Sequence, residues 1–335
     1  MNDSIRLRLL TYNVWHGLDH TNPWLMLPVF GAPQERSRKT KILEGLSRFR
    51  LKAKESAGDE VSAEFFMLQE LNPVGRQLAS LASALQMQSA QAEVNVGLRI
   101  GNYSYPPFLQ EGLGSLWRGP FTNIKNFRWI LSGHTPDVNL RLPLPFPKHL
   151  PLTLQTGERR GALVVTAQLG ALQFCFINTH LHHGSPALGA STQRIVELNV
   201  LLEELEHLEP DFDFVFLGGD FNADLHHPEH DLIISKGFKE LSLTKSAKAI
   251  DTWDPKINEL CGMNADLEDV EFSREWDQRR HGFDHIFVRA KEPKRLKILS
   301  AQRILDEAVG GQWLSDHFGL MVDIRLSLSP SLPPD

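Results

Sequence analysis

Leu217-Gly218-Gly219-Asp220-Phe221-Asn222-Ala223-Asp224 is the stretch on which the reading of this chain turns. The run Phe212-Asp213-Phe214-Val215-Phe216-Leu217 leads into it and reads as a buried strand. Two glycines then break the strand, and Asp220 and Asn222 follow two residues apart. At strand spacing such residues point the same way, so a carboxylate and an amide arrive side by side at a strand end. Asp can orient a water or hold a cation. Asn adds a neutral oxygen and an NH₂ donor without further negative charge. The pair suits a phosphate oxygen beside a divalent cation. Taken alone, the stretch reads equally well as an Asx turn closing a strand, and the rest of the chain has to decide.

Working outward, other apolar runs end the same way. Ile5–Val14 alternates and closes on Tyr12-Asn13-Val14. Phe65–Leu68 closes on Gln69-Glu70. Ala162–Gln168 and Leu172–Thr179 read as a hairpin around Gly170, and the second strand closes on Asn178-Thr179-His180. His281–Val288 holds Asp284, and Leu314-Ser315-Asp316-His317 precedes the last strand, Phe318–Ile324. Helices are expected over Ser37–Phe49, after Pro73 (Val74, Leu78, Leu81, Leu85), and over Ser191–Leu208 with Ser191 as N-cap. Leu51–Ser62 reads as a surface loop, as does His16–Pro33 with its apolar tip Trp24–Leu27.

Residues 100–157 look irregular. Prolines at the density seen there oppose long helices and central strands, while aromatics such as Trp117, Phe121, Phe127 and Trp129 oppose disorder. The segment reads as a substrate-facing loop system, with a core-covering insertion as the compatible alternative.

The 335-residue chain carries a net charge of -6 and is 41% hydrophobic, an ordinary globular composition without the basic excess of a dedicated nucleic-acid binder. Two cysteines, outside any zinc spacing, imply no disulfide framework. No apolar run has the length of a signal-peptide core or a membrane span. A cytoplasmic monomer, peripheral to a membrane at most, is the expectation. One domain over 1–326, with the insertion at about 100–157 and a tail at 327–335, is expected.

The polar groups at strand ends are oxygen-rich and thiol-free, which suits Mg²⁺ or Mn²⁺. In order, TYNV, LQE, NTHL, GGDFN, FDHIF and SDH resemble the signature series of the endonuclease/exonuclease/phosphatase superfamily, the DNase-I-like phosphodiesterases and phosphatases. The resemblance runs from Tyr12 to His317. It implies a four-layer α/β sandwich, with two packed, mainly antiparallel sheets flanked by helices and the site at one edge. Glu70 would be the main metal ligand, with Asn13 and Asp316 close to the metal. Asp220 would orient the attacking water, Asn222 and His180 would hold phosphate oxygens, and Asp284 would pair with His317. His285 stands where many members have Tyr.

The implied function is Mg²⁺-dependent hydrolysis of a phosphoester. NTHL followed by Gln193-Arg194, together with SDHFGL, looks most like neutral sphingomyelinase-type members, so a phospholipid or other amphiphile is the first substrate expectation. A nuclease or DNA-end-processing enzyme and a phosphatase on a soluble metabolite remain as alternatives. An inactive scaffold would not need every polar position filled. His182 and His183 read as loop histidines, because Gly184 replaces the Asp of a metallo-β-lactamase pattern. Ala223 likewise replaces the second Asp of a calcineurin-like one.

Overall fold

A computed structural model of the chain describes residues 4–15, 33–51, 61–72, 74–95, 98–100, 103–105, 111–133, 138–141, 151–154, 159–184, 189–208, 211–244, 246, 248–262 and 279–328. In chain order the elements are β1 (Ser4–Asn13), α1 (Pro33–Arg48), β2 (Val61–Leu71), α2 (Val74–Leu85), β3 (Gln88–Asn95), β4 (Leu98–Ile100), β5 (Tyr103–Tyr105), β6 (Glu111–Arg118) and β7 (Thr122–Ser132). There follow β8 (Val138–Arg141), β9 (Pro151–Leu154), β10 (Arg160–Leu169), β11 (Leu172–His180), α3 (Ala190–Glu206), β12 (Phe214–Asp220), α4 (Pro228–Ser235), β13 (Lys239–Glu240), β14 (Asp284–Ala290), β15 (Leu296–Ile304) and β16 (Gly319–Ser327).

Two 6-stranded sheets form, ordered β15-β16-β1-β2-β6-β3 and β13-β14-β12-β11-β10-β7. Each has one parallel pair at its centre, β1 with β2 and β11 with β12, and is otherwise antiparallel. A 4-stranded sheet, β5-β4-β9-β8, is separate. The expected α/β sandwich is therefore present.

Strand alternation divides each apolar run between two cores. Leu7, Leu9, Phe65, Met67, Phe174, Phe176, Phe214 and Phe216 fill the space between the sheets. Leu10, Tyr12, Phe66 and Leu68 lie under α1 and α2, and Cys175, Ile177, Val215 and Leu217 under α3 and α4. Burial on both faces is why β2, β11 and β12 read as nearly continuous apolar runs, whereas β1 alternates through Arg6 and Arg8. Phe65 stacks on Phe176 at 4.0 Å between centroids, joining the two sheets; each such ring contributes about 1.5–3 kcal/mol by burial.

Several expectations change. The glycines of the central motif do not break the strand: β12 continues through both to Asp220. Gly219 sits at φ +148°, and a Cβ there would lie 1.9 Å from the Thr179 carbonyl oxygen. The glycine thus permits close backbone approach beside the site. Gly219→Ala is expected to destabilise by about 3 kcal/mol or more, read from urea unfolding. Gly170→Ala has open space around it and should lose only about 1 kcal/mol, from its left-handed backbone. Equal effects would remove the close-approach explanation.

Within 100–157, β6 is an interior strand and β7 an edge strand. Of the prolines in this segment, Pro120 lies in the turn between β6 and β7 and Pro151 opens β9, positions strands tolerate; the others lie outside the described residues. Trp117 and Phe121 are buried in the inter-sheet core, and Phe127 and Trp129 pack partly buried against the core beneath α3. Trp117 and Phe121 are therefore not available as an interfacial surface. Trp24–Leu27 and the His16–Pro33 loop up to residue 32 lie outside the described residues, as do residues 52–60 of the expected surface loop; Val61 and Ser62 already belong to β2. Helix α3 starts one residue early, with Gly189 in left-handed conformation at its N-cap and no side-chain cap, so Ser191 is not the cap. Strand β16 runs through Ser327, and 329–335 lie outside the described residues.

Candidate active site

On five strands the apolar column facing the inter-sheet space turns polar at the same end. On β1 Leu7 and Leu9 give way to Thr11 and Asn13. On β2 Met67 gives way to Gln69, and on β11 Phe176 to Asn178 and His180. On β12 Phe216 gives way to Gly218 and Asp220, and on β14 Ile286 to Asp284. Register brings these ends level: His180 lies opposite Asp220, and Asp220 opposite Asp284. A buried polar floor separates core from site. Gln69 Nε2 donates to Asn178 Oδ1 (2.7 Å) and Thr11 Oγ1 (3.1 Å), and Asn178 Nδ2 donates to the carbonyls of Leu68 and Gly114.

Glu70 would face outward by simple alternation. Pairing of β2 with β6 shifts register between Leu68 and Leu71, and Glu70 adopts φ +54°. Bulges of this kind re-aim side chains beside active sites, and the left-handed backbone of a non-glycine residue stores strain. The Glu70 carboxylate consequently meets Asn13, whose Nδ2 donates to Glu70 Oε1 (2.9 Å) and to Asp220 Oδ2 (3.0 Å). Asn13 Oδ1 accepts the Trp15 N–H (2.9 Å). Asn13 therefore bridges two carboxylates as a donor.

Asp220 is 1% exposed. Its Oδ1 accepts the Asn222 N–H (2.9 Å), and Oδ2 lies 3.6 Å from both His180 Nε2 and His317 Nε2. Burial, with Asp284 nearby, pushes its carboxyl up to about 7, against the opposing pull of His317 and Asn13. His317 Nδ1 pairs with Asp284 Oδ2 at 2.8 Å, which fixes the ring. Burial opposes its charging, but Asp220 and Asp284 overcome this and hold the imidazole well above its usual range. Trp253 packs edge-on against His317 at 5.2 Å. Asn222 Nδ2 donates to the Leu181 carbonyl (3.1 Å). His180 is buried and lies 3.9 Å from Glu70 Oε1; burial and the Arg160 guanidinium keep it neutral, well below its usual range. Asp316 is buried beside His317. Its Oδ1 accepts from Ser315 Oγ, whose hydroxyl also donates to the Asn13 carbonyl.

Asp220, Asp284 and His317 offer ligand atoms within 4.8 Å of one another. Asp284 Oδ1 is buried without a hydrogen-bond partner, and Glu70, Asp220 and Asp316 add carboxylates nearby. Buried carboxylates at this density need positive charge, and an oxygen-rich set fits Mg²⁺ or Mn²⁺.

Some site residues had no signal in isolated motifs. Arg160 Nη1 lies 3.2 Å from His180 Nδ1, and its Nη2 2.9 Å from His183 Nδ1. The register of the hairpin, in which Gly161 faces His180, would have located it. Asp224 accepts from Gly282 N (2.8 Å) and pairs with His281 Nδ1 (2.6 Å), a clamp between segments that no spacing reveals.

Known proteins share the family and the fold of this chain. A tyrosyl-DNA phosphodiesterase 2 from Mus musculus is 27% identical over 195 residues, covering 55% of this chain and 44% of that protein. The chain thus spans less than half the length of that relative. A structure of D. rerio TDP2 complexed with single strand DNA product has a TM-score of 0.58 at 18% identity, covering 95% of this chain and 98% of that one. An endonuclease/exonuclease/phosphatase family protein from Bacteroides thetaiotaomicron has a TM-score of 0.53 at 17% identity, covering 97% and 99%. These structural likenesses show the fold. The model of the endonuclease/exonuclease/phosphatase family matches residues 10–317, from β1 to the histidine before β16, and the chain belongs to that family.

Proposed function

We propose that this phosphoesterase is a divalent-metal-dependent phosphodiesterase acting on nucleic acid, with strand ends as the preferred position. The convergence of Glu70, Asp220 and the Asp284–His317 pair at one sandwich edge carries the reaction class. The tyrosyl-DNA phosphodiesterase relatives favour the nucleic-acid alternative over the sphingomyelinase-type reading. The amphiphile reading has also lost one of its supports, since Trp117 and Phe121 are core residues.

Glu70 is the residue to hold Mg²⁺ or Mn²⁺, with Asn13 orienting its carboxylate and Asp316 close by. Such a cation, when bound, neutralises phosphate charge and so lowers the barrier to attack by water. Asp220 orients and deprotonates the water. Asn222 and His180 contact phosphate oxygens. His317, kept charged by Asp284, donates a proton or stabilises the charge that develops in the transition state.

The test is a panel run with Mg²⁺ and with excess chelator, comprising a single-stranded oligonucleotide, the same strand carrying a terminal tyrosyl phosphodiester, sphingomyelin vesicles and a soluble phosphomonoester. Highest kcat/KM on the oligonucleotides, abolished by chelator and restored by Mg²⁺, is expected. Faster turnover of sphingomyelin would return the lipid reading to first place, and full activity after verified metal removal would refute the metal assignment.

A further inference from the structure

His226-His227-Pro228-Glu229-His230-Asp231 leads from the loop after β12 into the first turn of α4, and nothing in the phosphoester chemistry uses it. His226, His230 and Asp231 each offer a ligand atom, all within 4.8 Å of one another. The two imidazoles lie edge to face at 6.0 Å. His230 is 8% exposed, yet its Nδ1 has no hydrogen-bond partner. Buried polar atoms are seldom left so. Its Nδ1 is 3.8 Å from Asp231 Oδ1, on a side chain 70% exposed. Its Nε2 faces inward, 3.4 Å from Glu240 Oε2.

We propose that His226, His230 and Asp231 bind a borderline divalent transition metal, with Zn²⁺ as representative, at a site separate from the phosphoester centre. Two imidazoles and one carboxylate select Zn²⁺ over Mg²⁺, which prefers all-oxygen surroundings. Ligands at zinc bond lengths in tetrahedral arrangement stand about 3.4 Å apart. The site therefore needs a contraction of about 1 Å, which the exposed side chains of His226 and Asp231 can supply by rotation. Three protein ligands leave a fourth position for water.

Glu240 completes the design. It lies behind His230 on the side away from Asp231, the position from which a carboxylate fixes the orientation of a metal-binding imidazole. Although burial opposes its charge, His285 and His230 hold it ionised. His285 Nδ1 is 3.1 Å from the same oxygen, and its Nε2 is 2.8 Å from the Ala223 carbonyl. A metal at His226 and His230 would thus tie α4 to the loop that carries Asn222 and Asp224.

Full-length chain in excess Mg²⁺ would be titrated with Zn²⁺ against a chromophoric chelator, with Co²⁺ absorption as a second readout. One Zn²⁺ equivalent is expected, with a Zn²⁺-dependent rise in Tm. His226→Ala and Asp231→Asn alter exposed side chains and should leave the core intact. Each should weaken Zn²⁺ binding at least tenfold, since even outer-shell losses typically have effects of about 10–100-fold, and should abolish the Tm rise. Mg²⁺-dependent turnover should be unchanged in both. No Zn²⁺ equivalent in the wild type, or undiminished binding in either variant, overturns the proposal.

Discussion

Replacing Asp220 by Asn is expected to lower turnover by about 10²–10⁴-fold, the usual scale for a lost general base, while the protein remains folded. The isosteric amide keeps the volume of a residue that is 1% exposed and its hydrogen bond from the Asn222 N–H. What disappears is the ability to take a proton. The pH dependence of stability gives an independent check. In chelator, burial holds the Asp220 carboxyl up to about 7, above its unfolded value near 4. Between those limits the folded state binds the extra proton, so this group's contribution to stability falls as pH rises through 7. Asp220→Asn, which never ionises, escapes that loss. Thermal unfolding of the two proteins should match most closely near pH 4, and the variant should gain progressively toward pH 8. Retained activity, or a variant that loses stability at high pH relative to wild type, would contradict the role given to Asp220.

Removal of the His317 imidazole is the second large effect. His317→Ala should reduce kcat by about 10²–10⁴-fold, with KM changing much less if the ring acts on the reacting bonds. Asp220 and Asp284 hold His317 well above the usual histidine range despite burial, so the working form at neutral pH is the imidazolium. Wild-type kcat should therefore decline on the alkaline side, not through the ordinary histidine range. Asp284→Asn removes one of the carboxylate charges that raise His317, while its amide oxygen can still accept from Nδ1. That alkaline limb should then move toward neutrality. A limb that stays in place would mean that Asp284 positions something other than this proton.

Much of the site was legible in sequence because strand ends are local features. Asn13, Glu70, His180, Asp220, Asn222, Asp284 and His317 each close or flank an apolar run, and convergence followed once the runs were read as strands of one sandwich. Misreadings arose where one residue type serves opposed purposes. Glycine was read as a strand breaker, yet Gly219 serves close backbone approach within a strand. Prolines were read as loop markers across 100–157, yet Pro120 and Pro151 sit at strand boundaries, and Trp117 and Phe121 fill the core. What remained hidden was pairing through space. Arg160 with His180, Asp224 with His281, and His230 with Glu240 depend on register or on loop paths that neither spacing nor composition encodes.

The order in which the chain is synthesised gives the placement of β16 a further consequence. This strand pairs with β1 along nearly its whole length and with β15 on its other side, and His317 and Asp316 stand immediately before it. Strand β1 therefore waits for β16 as translation proceeds. Until residues near 327 have left the ribosome, β1 lacks one neighbour, β15 has no sheet to join, and the imidazole beside Asp220 is missing. A nascent or prematurely terminated chain carries Glu70, His180 and Asp220 without His317, so under the proposed roles hydrolytic competence would arrive only after β16 can form. Such end-to-end pairing has high contact order and folds slowly.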